Sequence, residues 1–68
     1  MQEAVVIQQM NSLIERVVTD AIFKLEEARA RVQVLGLSPN PHLQECALSI
    51  REFINLAIFE LQSCGRSL

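Results

Sequence analysis

Both prolines and one of the two glycines of this 68-residue chain fall within residues 36–41, Gly36-Leu37-Ser38-Pro39-Asn40-Pro41. No glycine or proline precedes that run, and only Gly65 follows it. Proline and glycine are the strongest local punctuators of regular structure. A chain with one such cluster near its middle reads as two long elements joined by one short loop. Gly36 suits the left-handed position just past a helix, with Leu37 then able to pack back on Val32 as in a Schellman motif. Asn40 is a good N-cap, and Pro41 belongs at the first helical position. A stop and a start this close together are what an antiparallel helical hairpin requires.

Apolar periodicity makes both elements helices. In the first, expected over about residues 2–35, Ile7, Ile14, Ala21, Ala28 and Leu35 recur every seventh residue. Met10 and Val17 interleave with them, and the stripe then drifts to Val18, Leu25 and Val32, which keeps a straight helix facing one core. In the second, expected over about 41–64, Leu43, Cys46, Ala47, Ile50, Phe53, Ile54, Ala57, Ile58 and Leu61 share one face at a period near 3.6. Gly65 ends it, with Arg66-Ser67-Leu68 as a frayed tail. On the opposite face of the first helix, Asp20 with Lys24 and Glu27 with Arg31 stand at i,i+4 in the better orientation. The fold class is therefore all-α: a single helical-hairpin domain over residues 1–68, with residues 36–40 as its loop.

The hairpin carries more apolar surface than it can cover. Half of the chain is hydrophobic, without tryptophan or tyrosine and with three phenylalanines. In the first half of helix one, apolar residues fill roughly half the circumference at ~100° per residue, more than one neighbour covers. Paired from the loop, the shorter second helix runs out first, so the first turns of helix one overhang. The simplest closed solution is a homodimer of hairpins forming a four-helix bundle. Ile7, Met10, Ile14, Val17 and Val18 are the expected self-association residues. Phe23 on helix one, and Leu48, Leu56 and Phe59 on the back of helix two, are expected to be a further oligomer face or a surface for a second protein.

Little chemistry is offered. His42 and Cys46 stand i,i+4, a spacing that could hold two metal ligands, but a structural zinc site wants four. No metal or cofactor is expected. There is no glycine-rich phosphate loop, serine-centred elbow or paired-cysteine motif, so an enzyme is not expected. No run of about 20 apolar residues marks a membrane span. Met1-Gln2-Glu3-Ala4 lacks a basic leader region, so a cytoplasmic home is expected. Cys46 and Cys64 are then reduced thiols, read as small buried apolar residues. The net charge of −2 with scattered basic residues disfavours nucleic acid.

The layout of long helix, tight loop and second helix resembles dimeric plasmid-regulating hairpins and small secretion-system co-chaperones, in architecture and without shared motif residues. Ala47-Leu48-Ser49-Ile50-Arg51-Glu52 followed by Asn55-Leu56-Ala57-Ile58 resembles small helical phage proteins that sequester cyclic nucleotides in an oligomer. The leading expectation is a non-enzymatic interaction or oligomerisation module: an adaptor, assembly subunit or co-chaperone. One alternative is an oligomer binding an anionic small molecule such as a nucleotide between subunits. Its site would use Arg29, Arg31, Arg51 and Asn55, since arginine's planar donor fork suits phosphate. Another is a dimeric RNA-binding hairpin, with affinity falling steeply with salt.

Overall fold

A computed structural model describes residues 2–68; Met1, the first residue of the Met1-Gln2-Glu3-Ala4 stretch expected to be no leader, lies outside them. Two helices account for nearly all of it: α1, Gln2–Gly36, and α2, Pro41–Arg66. They pack against each other as an antiparallel pair.

The start of α2 follows from its local chemistry. Asn40 has extended backbone angles, and its side chain accepts from the His42 N–H at 2.9 Å. Pro41 follows at the first helical position. The cap carbonyl takes the first helical bond, from the Gln44 N–H at 3.1 Å. Ser38 braces the loop: its hydroxyl accepts from the Asn40 N–H at 3.1 Å, and its carbonyl from Gln44 Nε2 at 2.7 Å.

The end of α1 differs from expectation. No residue has a positive φ among those described, so Gly36 makes no left-handed cap. The helix closes instead with i,i+3 bonds, Leu37 N–H to the Val34 carbonyl and Ser38 N–H to the Leu35 carbonyl. Such bonds satisfy terminal carbonyls by tightening the last turn. Leu37 is 83% exposed and does not fold back on Val32. Gly36 faces α2 across the seam: a Cβ there would lie 3.8 Å from Ala47 Cβ, an ordinary van der Waals contact. Gly65 faces α1 at the other end, where a Cβ would lie 3.7 Å from Val18 Cγ1, also an ordinary contact. It sits inside α2 and does not terminate it, so the helix continues to Arg66.

These contacts set the register. Gly36 lies level with Ala47, Arg29 with Asn55 and Val18 with Gly65. The seam is narrow. Among the described residues only Ala47, Ile54 and Ile58 are buried, and Val18, Ala21, Leu25, Ala28 and Val32 of α1 are half-buried against them. Phe53, expected in the core, is 71% exposed. It stands about 100° round the helix from Ile54, beyond the reach of one partner helix. Cys46 is half-buried and Cys64 exposed, so only the first approaches the expected burial.

Residues 2–17 of α1 lie beyond the end of α2, an overhang of about 24 Å at 1.5 Å per residue. The molecule is a rod, 61 × 15 × 11 Å between Cα atoms. Its radius of gyration is 16.9 Å, against about 11 Å for a compact chain of this length. Its accessible surface is 5665 Å², about 1,300 Å² more than a compact monomer of this mass presents.

Candidate interaction surface

The hydrogen bond from Arg29 Nη1 to Asn55 Oδ1, 2.7 Å, marks one side of the seam. Wheel positions at ~100° per residue place Gln33, Gln44, Arg51 and Gln62 on this same flank. It is the polar flank. A cleft of about 140 Å³ opens there, lined by Val32, Gln33, Gly36, Gln44, Ala47, Leu48 and Arg51. No buried side-chain nitrogen or oxygen among the described residues lacks a partner.

The opposite flank is apolar. Ala21, Ala28 and Leu35 of α1 face it, with Ile50, Phe53 and Cys64 of α2. Ile50, Phe53, Leu35 and Cys64 are exposed in the single hairpin. Lys24, Arg31 and Glu60 stand at its rim. The overhang continues the same surface. Ile7 and Ile14 extend the line of the seam, and Val6, Met10, Leu13 and Val17 extend the line of the apolar flank. All six are exposed, Leu13 at 60%. With the hairpin flank, they form one continuous apolar surface along the whole rod.

Ile7, Met10, Ile14 and Val17 share the overhang, exposed, and Val18 begins the seam. Phe23 is exposed on the outer face of α1, beside an open depression with Ser12, Glu15, Arg16, Thr19 and Asp20. Leu56 and Phe59 are exposed on the back of α2, and Leu48 is exposed beside them where it lines the cleft of the polar flank. None of the three, nor Phe23, belongs to the apolar surface just described.

The four residues considered for an anionic ligand are divided. Arg29 and Asn55 meet, and Arg51 shares their flank, but Arg31 lies about 200° round from Arg29. The Arg29–Asn55 bond also joins two groups that a ligand would need. His42 Nε2 and Cys46 Sγ approach to 3.8 Å, and no cluster of three or more potential metal ligands exists among the described residues. Asp20 and Lys24 pair at 2.9 Å, and the Asp20 hydrogen bond and charge raise the Lys24 pKa. The Glu27–Arg31 pair does not close; Asp20–Lys24 is the one ion pair among the described residues.

The residues that sequence reasoning missed are those of the apolar flank. The helical periodicity alone puts Ile50, Phe53 and Leu35 in the hairpin's own core stripe. The signal was the width of that stripe, which exceeds what one helix seam accommodates. No helix is long and apolar enough to cross a membrane among the described residues. No protein-family model matches this sequence, and no curated protein or solved structure matches it at a significant level.

Proposed function

We propose that the chain is a non-enzymatic association module, which works by burying its apolar helix surface against other protein and is itself a subunit of a homo-oligomer. The supporting observation is the unpartnered apolar surface running from the overhang along one flank of the hairpin. Water-exposed apolar area of this extent is the ordinary mark of an interaction site. The excess surface has the right size. Two copies that each covered about 1,300 Å² would bury on the order of 2,600 Å², within the range of obligate homodimers. A dimer of hairpins, with four helices in all, is the smallest closed assembly that does this.

Self-association through that surface leaves Leu56 and Phe59 free on the back of α2, and Leu48 free beside them at the cleft. This second, separate ridge suits an adaptor, which holds its own copy with one face and a different protein with the other. Nucleotide binding draws less support, because Arg29 is engaged with Asn55 and Arg31 stands apart from both.

Sedimentation equilibrium at micromolar concentration tests the reading. The expected result is a species of two or more chains. A stable, fully helical monomer under those conditions would overturn it. Phe59→Ser is expected to leave the dimer constant unchanged within about twofold, because a surface change away from a contact is usually worth less than ~0.5 kcal/mol.

A further inference from the structure

Resting on the reading above, we infer that the occupant of the apolar surface is a second copy of this chain lying antiparallel, with the overhang of each copy seated on the apolar flank of the other's hairpin.

Three features of the single chain support that arrangement. The first is length. The overhang covers residues 2–17 of α1, and the hairpin covers residues 18–36. These stretches are nearly equal, so two copies reversed about the middle of α1 tile each other from end to end. A parallel pair would instead leave the two overhangs with only each other.

The second is the breadth of the apolar arc. Around the overhang it runs from the line of Ile7 and Ile14 to that of Val6 and Leu13, about 120° of the wheel at ~100° per residue. One neighbour covers less than this. In the reversed pair, α1 of the other copy lies against the flank side of the arc, and its α2 lies towards the seam side. The cross-section is then three helices along most of the rod, with the two α2 helices meeting only at their C-terminal ends.

The third is shape. The midpoint of α1 is Thr19. Reversal about it brings Met10 of one copy level with Ala28 of the other, and Val17 level with Ala21. Large side chains on the overhang thus meet small ones on the flank, the alternation that lets facing helices interdigitate. Cys64 sits next to Gly65, which is level with Val18. It therefore lies almost on the two-fold axis, on the flank facing the other copy.

Distances between two spin labels, one per copy, test this. A label on Cys64, in a Cys46→Ala background, should report the two Cys64 sites within bundle width, on the order of 20 Å. A label on Leu37→Cys, with both native cysteines replaced by alanine, should report on the order of 50 Å, since the loops lie at opposite ends. The exposure of Leu37 keeps that label out of any packing. Short distances at both sites would overturn the antiparallel arrangement while leaving self-association standing. Absence of dipolar coupling at both, with a monomer in the ultracentrifuge, would overturn the two together. In the unaltered chain a short bismaleimide should join copies through Cys64. A linkage through Cys46, seen by mass spectrometry, would also contradict the arrangement.

Discussion

The two halves of α1 invert what a monomer would be expected to show. Residues 18–36 lie beside α2 and carry six charges: Asp20, Lys24, Glu26, Glu27, Arg29 and Arg31. Residues 2–17 touch nothing along most of their length and carry only Glu3, Glu15 and Arg16. The covered half is thus the more polar. It also places alanines at 21 and 28, where the overhang places Met10, Ile14 and Val17. A helix end designed for water would hold its charges where no neighbour stands. The inversion teaches where the single hairpin leaves apolar surface uncovered: large side chains on the overhang, and small ones beside the seam.

The strongest way to break this comparison is Ile14→Asp. An unpaired carboxylate costs several kcal/mol where it is buried and little where it is solvated. The expected outcome is simultaneous loss of association and of helix, followed by sedimentation and far-UV circular dichroism. A helical monomer would show that the hairpin stands alone.

A finer comparison sets Ile54→Ala against Met10→Ala. Ile54 is buried in the hairpin itself, and its truncation should cost about 2–5 kcal/mol. Met10 is exposed in the single chain. If the overhang is covered in solution, Met10→Ala should also lower the melting temperature, by an amount that grows as the protein is diluted. A Met10→Ala variant that melts like the parent at every concentration would place the overhang in water.

Asn40→Ala sharpens the contrast from the other end of the molecule. It removes the cap bond to the His42 N–H and should cost about 1 kcal/mol. Its effect should appear as a modest lowering of the thermal melt, with the dimer still formed at micromolar concentration. Loss of the dimer at that concentration would mean that the loop takes part in the interface.

The smallest effect is electrostatic. The Asp20 hydrogen bond, and then its charge, hold the Lys24 pKa above its ordinary 10.5. A raised pKa in the folded state contributes stability that is full below 10.5 and fades as pH rises through the folded value. Both side chains are largely exposed, so the contribution is slight. Asp20→Asn should leave the melt at neutral pH almost unaltered and flatten its decline on the alkaline side. An unchanged alkaline decline would assign it to other groups.

The all-helical hairpin was legible because its signals are local. Asn40 and Pro41 carry their roles in their own side chains, and the structure places both in them. The two glycines were misread for the opposite reason. A glycine after a helix is read as a left-handed cap because that is its commonest local use. Gly36 and Gly65 lie within the helices, level with Ala47 and Val18 across the seam. That placement exists only once the register is known, and no single helix contains the register. The candidate surface divides in the same way. The apolar excess could be counted along the chain. Its division into a polar flank with Arg29 and Asn55 and an apolar flank with Ile50 and Phe53 depends on which side of each helix faces the other. Phe53 shows the cost: one position from Ile54 in sequence, it stands on another face.

The three-residue core has a consequence for the life of the molecule. Among the described residues, Ala47, Ile54 and Ile58 alone are buried within the hairpin, against a seam of half-buried side chains. Stability supplied by a partner copy scales with how many copies are present. A chain built this way would have a threshold abundance: below it, newly made copies would remain open to proteolysis, and above it they would protect one another. Its level in a cell would then depend steeply on its rate of synthesis, and a modest rise in expression would lengthen the survival of every copy already made.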